Sequence, residues 1–253
     1  MAKRKTKGAQ EGESFKLVDI PKSIGIGPLS DISPMTKTQE LVFNAYQKDY
    51  NVVMSGAAGC GKTFIAIAMA LKQIIAENYK MKLIIVRSVV PTRDMGFLPG
   101  SQADKEAAYT TPYEEIVNEL FCDGQAWKKL IDRGTIRFLT TSFIRGITIR
   151  NAIILVDEAQ NCNFHELDSI MTRCGTNSRI IFTGDYYQTD FERDKDKNGI
   201  NEFIEIVDRL KYFKHVRFGW EDIVRSSLVR DYIMTKEMIQ REKSSNNKQQ
   251  QQK

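Results

Sequence analysis

The chain has 253 residues, 42% of them hydrophobic and 27% charged, and 37 Lys and Arg against 32 Asp and Glu leave a net charge of +5. This suits one large soluble domain or two small ones, excludes a wholly disordered chain, and offers no apolar run long enough to span a bilayer. Four cysteines (Cys60, Cys122, Cys162, Cys174) without a Cys-x-x-Cys pair, and only two histidines, exclude a clustered zinc site and a disulfide scaffold; reduced thiols in a cytoplasmic protein are expected.

Residues 1–14 are polar and basic, with Lys3, Arg4, Lys5 and Lys7 but no apolar stretch behind them. They read as a disordered arm rather than a secretory signal. A helical pattern over 36–49 precedes an apolar run at 51–55, and a second helix is expected at 62–77. Runs at 82–87, 135–139, 152–157, 179–183 and 215–218 follow, with helical patterns at 113–121, 165–173, 201–210 and 221–242. The runs are short and mostly rich in Ile and Val, as buried strands are. Residues 15–243 thus form one α/β domain, a parallel sheet flanked by helices on both faces. The polar, low-complexity stretch 244–253 is expected to lack structure. In such sheets ligands bind beyond the carboxyl ends of the strands.

Two motifs begin there. Gly56-Ala57-Ala58-Gly59-Cys60-Gly61-Lys62-Thr63 fits G-x-x-x-x-G-K-[ST] between an expected strand and an expected helix, which is the context that confirms it. Glycines let the backbone N–H groups curl around phosphate oxygens, and the helix N-terminus adds its dipole. Lys62 is placed to reach the β- and γ-phosphates of ATP, and Thr63 to offer a hydroxyl to Mg²⁺. Phe64 opens the helix beside the nucleotide. Cys60 reads as a tolerated variable position of the loop.

The strand at 152–157 ends in Asp157-Glu158-Ala159-Gln160. Asp157 is placed to hold Mg²⁺ directly or through water, and Glu158 to orient or deprotonate an attacking water. An acidic strand end alone is an ordinary solvated turn; paired with a phosphate loop it is the other half of one site. A glutamate beside the metal aspartate favours hydrolysis over transfer to a small acceptor. The next strand ends in Gly184-Asp185-Tyr186-Tyr187-Gln188, where Gln188 is positioned to contact the γ-phosphate.

Asp157-Glu-Ala-Gln160 together with Gly184-Asp-x-x-Gln188 resembles the first motor domain of superfamily 1 helicases. Over roughly 34–235 the chain resembles PhoH-like ATPases more closely. The matching pieces are Gly96-Phe-Leu-Pro-Gly100, Pro112-Tyr113, Arg145-Gly146, Asp157-Glu-Ala-Gln-Asn161, Thr172-Arg173, Gly184-Asp185 with Gln188 and Asp190, and Asp222-Ile-Val-Arg225. The resemblance implies a RecA-like P-loop domain, ATP and Mg²⁺ binding, a ring-shaped homo-oligomer such as a hexamer, and a link to RNA metabolism or unwinding. It further implies that Gln39 reads adenine and that Arg225 reaches a neighbouring subunit's γ-phosphate. Ala57 and Cys60 stand where the family commonly has Pro and Thr, and Phe191 where it has Pro. With no nuclease domain or second motor domain in the sequence, the chain looks like a stand-alone, phage-type member.

Candidate contacts to RNA or single-stranded nucleic acid are Arg87 and Arg93 after the second core strand, Phe97 between glycines, and Arg145. Arginines at strand ends also commonly pair with local acids. The pattern at 221–242 places Val224, Leu228, Tyr232 and Ile239 on a helix that packs on the domain or on a neighbour; its mixed charges do not suit a membrane surface. His165 and His215 lack a nucleophilic partner in the sequence and suggest no triad. The leading expectation is an oligomeric ATPase, a helicase or translocase, acting on RNA or single-stranded nucleic acid. The alternatives are a nucleotide-gated interaction protein with slow ATPase and a small-molecule P-loop kinase.

Overall fold

The computed structural model describes residues 25–88, 102–144, 146–185 and 194–250. Their six strands are β1 (Asn51–Gly56), β2 (Lys82–Arg87), β3 (Ile136–Thr140), β4 (Ala152–Asp157), β5 (Ser178–Gly184) and β6 (Phe213–Phe218). They form one all-parallel sheet in the order β3-β2-β4-β5-β1-β6. Each expected strand is present, with ends shifted by no more than two residues. The helices are α1 (Lys37–Gln47), α2 (Lys62–Ala76), α3 (Gln102–Phe121), α4 (Ala126–Asp132), α5 (Phe164–Arg173), α6 (Asp194–Asp208) and α7 (Ser227–Gln250).

Strand residues alternate between two cores because successive side chains point to opposite faces. Val52, Met54, Leu83, Ile85, Ile153 and Leu155 pack beneath α1 to α4. Val53, Ile84, Val86, Ile154, Val156 and Phe182 pack with α5 and α6. Both faces are covered, so the central strands read as unbroken apolar runs. Burying each such Val, Ile or Leu side chain contributes about 1.5–3 kcal/mol. The helices from β1 and β4 leave on opposite faces, which opens a crevice between the loops following those strands.

The helices depart from expectation at several ends. α3 starts eleven residues before 113 and runs through Pro112, although proline favours a first-turn position. α4 is not evident in the sequence: seven residues are too few to display a 3.6 period, and only Ala126, Trp127 and Leu130 mark its buried side. α6 begins at Asp194, its charged first half masking the start. The pattern at 221–242 is not one helix. A 3₁₀ turn at Trp220–Asp222 is followed by extended chain, and α7 begins at Ser227. α7 then continues to Gln250, into the stretch expected to lack structure; Lys and Gln are good helix formers once a helix has been nucleated. Its anticipated packing stripe faces outward, with Leu228 81% and Tyr232 67% exposed, while Ile233 and Met234 pack on the core. No helix among the described residues is long and apolar enough to cross a membrane.

Candidate functional site

β1 delivers the glycine loop to the carboxyl edge of the sheet. Gly56 has φ 118°, and a Cβ there would lie 2.0 Å from the Phe218 carbonyl oxygen. Only glycine fits so close to β6. Gly61, at φ 74°, is the N-cap of α2 and supplies no side-chain cap, which leaves the first-turn N–H groups facing the cleft. Lys62 Nζ donates to the carbonyls of Gly56 at 2.8 Å and Ala57 at 2.7 Å, holding its ammonium over the loop. Ala58, Gly59, Cys60, Thr63 and Phe64 complete that wall. Cys60 is fully buried, and burial pushes its thiol up to about 12. Such a thiol is inert rather than redox-active.

Three hydroxyls converge on the buried Asp157 carboxylate. Oδ1 accepts from Thr63 Oγ1 at 2.8 Å and Thr183 Oγ1 at 2.5 Å, and Oδ2 accepts from Tyr113 Oη at 2.9 Å. Burial, and then Asp157, raise the Tyr113 pKa well above its ordinary value, so this phenol is a fixed donor. Glu158 adopts the left-handed conformation at φ 52°, an uncommon geometry that turns its side chain into the cleft. Burial and the Asp157 charge raise its pKa. Gln160 donates through Nε2 to Glu158 Oε2 and accepts through Oε1 from Asp185 N at 3.0 Å, so one amide aims the glutamate from the end of β5.

Sequence reasoning misses Tyr113, Thr183 and Gln160 as site residues. Gln160 sits inside the motif, and Thr183 ends an expected strand. Tyr113 carries no local signal of its role, because α3 brings it across 44 positions to Asp157. Arg87, expected to face nucleic acid, has its guanidinium 5.9 Å from the centre of the Tyr109 ring, within electrostatic reach of Tyr113, Asp157 and Glu158. Burial works against that charge, but these partners together raise its pKa. Gln188, Arg93, Phe97 and Arg145 lie outside the described residues.

The walls enclose a cleft of about 750 Å³. Gln39, Ile116, Val224 and Arg225 line its outer part. The Gln39 amide accepts from Met35 N at 2.7 Å and donates to the Cys60 carbonyl at 3.1 Å, pinning the chain before α1 to the loop. These two bonds use one lone pair and one amide hydrogen of the Gln39 side chain. Val224 N donates to the Gly59 carbonyl at 3.1 Å, and a Cβ on Gly59 would lie 3.0 Å from Arg225 Cγ. Arg225 therefore stands at the cleft of its own chain. Uncapped helix N–H groups, a cationic Lys62, a Thr63 hydroxyl and a buried carboxylate form a donor set that fits a nucleoside triphosphate with Mg²⁺. No cluster of three or more His, Cys, Asp or Glu suited to a metal occurs among the described residues.

Outside this cleft, Ser55 Oγ lies 2.7 Å from His215 Nε2, and His215 Nδ1 lies 2.9 Å from Asp208 Oδ1. No motif in the sequence points to this chain of side chains. Ser55 is 6% exposed inside β1, which is covered on both sides by β5 and β6, so no substrate reaches it. The chain instead fastens β1 and β6 together just below the glycine loop.

A family model described as "PhoH-like protein" matches residues 31–237. "Protein PhoH" of Escherichia coli (strain K12) is 32% identical over 203 residues, which cover 78% of this chain and 57% of that protein. A "PhoH-like protein" of Synechocystis sp. is 32% identical over 199 residues, covering 78% of this chain and 60% of that one. The chain therefore spans somewhat more than half the length of these relatives. Among solved structures, the large terminase from a thermophilic bacteriophage aligns with a TM-score of 0.47 at 13% identity, over 79% of this chain and 50% of that one. The parallel sheet, with its glycine loop after β1 and acid pair after β4, is a RecA-like P-loop arrangement lying within the matched range. The chain belongs to the PhoH-like protein family.

Proposed function

We propose that this chain is a Mg²⁺-dependent ATPase that works as a homo-oligomer on RNA or single-stranded nucleic acid. The observation that carries the hydrolytic reading is the Thr63–Asp157 hydrogen bond of 2.8 Å, with Glu158 beside it and Lys62 on the same cleft. Thr63 and Asp157 would hold Mg²⁺, which supplies charge neutralisation on the phosphate oxygens. Lys62 exchanges its two backbone carbonyls for phosphate oxygens. Glu158, aimed by Gln160, orients water and takes its proton. Gln188 is assigned γ-phosphate sensing from the family resemblance.

Arg225 adds positive charge at the cleft mouth. Its position against Gly59 favours a role in the same chain over delivery to a neighbour. Mixing Arg225→Ala with Lys62→Ala subunits separates the two: no regained turnover supports action in cis, and recovery supports action in trans. The exposed Leu228 and Tyr232 on α7 support self-association, and sedimentation of Leu228→Glu, Tyr232→Glu against wild type tests it.

The decisive measurement is ATP turnover with and without poly(U), single-stranded DNA and duplex. Mg²⁺-dependent turnover, lost in Lys62→Ala and Glu158→Gln and raised by a single-stranded polymer, supports the proposal. Nucleotide binding without turnover would overturn the ATPase. Turnover indifferent to every polymer would favour a nucleotide-gated binder, and phosphate transfer to a metabolite a kinase.

A further inference from the structure

Glu166 stands on the first turn of α5. Its Oε2 accepts from Asn163 N at 2.9 Å, and the Asn163 side chain accepts from Glu166 N at 3.0 Å. That closes a capping box, which needs only one carboxylate oxygen. The other oxygen has a separate task. Oε1 accepts from Ser88 Oγ at 3.3 Å and from Thr141 Oγ1 at 2.5 Å. Ser88 follows the last residue of β2, Thr141 follows the last residue of β3, and both are buried. One carboxylate thus ties two strand ends at the carboxyl edge to the helix that begins just beyond Asp157 and Glu158.

The tie also reaches the surface. Thr141 opens a 3₁₀ turn ending at Phe143, which is 55% exposed. An exposed aromatic on the carboxyl edge suits a stacked base. We propose that Glu166 is a positioning residue that couples Ser88 and Thr141, at the carboxyl ends of β2 and β3, to the acid pair, so that a base stacked on Phe143 is felt at Glu158. The polymer arm of this inference rests on the nucleic-acid reading above; the tie itself does not. Coupling of this kind is reciprocal. Nucleotide in the cleft must then alter the turn at 141–143 by the same factor that polymer alters nucleotide affinity.

The experiment compares the full chain with a Ser88→Ala, Thr141→Val double variant, which removes both hydroxyls from Glu166 and leaves the capping box intact. Hydrogen exchange is followed with and without Mg²⁺-ADP. Wild type is expected to gain protection at 141–144 on nucleotide addition, and the variant to lose that gain about fivefold or more at unchanged ADP affinity. Equal protection in both proteins, or none in wild type, would overturn the proposal. Glu166→Ala is the harsher version, since it removes the cap as well; should it fail to fold, the double variant still decides. In the second arm, polymer stimulation of ATP turnover falls in the variant while basal turnover is retained. If wild type shows the exchange coupling but no polymer stimulates it, the link stands and the nucleic-acid reading fails.

Discussion

Tyr113, 1% exposed, and Asp157 meet at 2.9 Å, the phenol donating to the second oxygen of the Asp157 carboxylate. The first oxygen is already shared by Thr63 and Thr183. Tyr113 thereby fixes the rotation of the carboxylate. Tyr113→Phe keeps the ring and removes one bond to a carboxylate, a loss of about 1.5–3 kcal/mol. The expected outcome is a fall in kcat of about tenfold or more with KM for ATP nearly unchanged, measured by steady-state turnover. A rise in KM at constant kcat would show that Tyr113 serves binding instead.

Glu158→Gln preserves shape and removes the carboxylate proposed as the base. ATP binding is expected to persist while turnover falls by about 10²–10⁴. Gln160→Ala should give a smaller loss of turnover, because it frees Glu158 from its link to Asp185 without removing the carboxylate. Single-turnover rates beside equilibrium nucleotide binding check both.

Gly56→Ala places a methyl group 2.0 Å from a backbone oxygen at φ 118°. Neither strand can retreat, since β1 and β6 pair in parallel from Asn51–Phe213 to Gly56–Phe218. A loss of about 3 kcal/mol or more is expected, or roughly 6–12 °C in Tm. A melting curve within a degree of wild type would contradict the close approach.

Cys60 should resist alkylation in the native protein. It is buried, and its thiol is pushed up to about 12, whereas Cys122 is exposed. Iodoacetamide at neutral pH is expected to modify Cys122 first and to leave nucleotide binding intact. Early modification of Cys60, read by peptide mass, would reverse that order.

His215 gives a pH dependence of stability. Burial lowers its pKa, Arg217 adds to this, and the bond to Asp208 opposes it. The unfolded chain takes up a proton near the usual imidazole value of about 6.5, while the folded chain resists until lower pH. Between those values the unfolded state binds more protons, so stability falls as pH drops below about 6.5. His215→Gln should flatten that part of the Tm-against-pH curve. An unchanged curve would show that another group governs it.

Strands β1, β2, β4 and β5 are legible in the sequence because they are short, mostly buried apolar runs, and the glycine loop because its chemistry is contiguous in the chain. Asp157 and Glu158 are legible from their place at a strand end. What tertiary packing decides is not. Tyr113 meets Asp157 because α3 brings it there across 44 positions of sequence, and Arg87 lies within electrostatic reach of the same acids. The stripe Leu228, Tyr232 and Ile239 has helical spacing, but spacing does not tell which face meets the domain, and these residues face away from it.

The glycine loop is held from behind by chain some 160 residues further on. Ala57 N donates to the Phe218 carbonyl, the Cys60 thiol lies against the Gly219 carbonyl, and Val224 N donates to Gly59. The loop sequence is therefore finished early in synthesis, long before its support emerges. Contacts of such long sequence separation form late in folding. Nucleotide affinity thus becomes a readout of completed assembly: a chain lacking the segment from β6 onward retains the whole glycine motif but not the frame that shapes it.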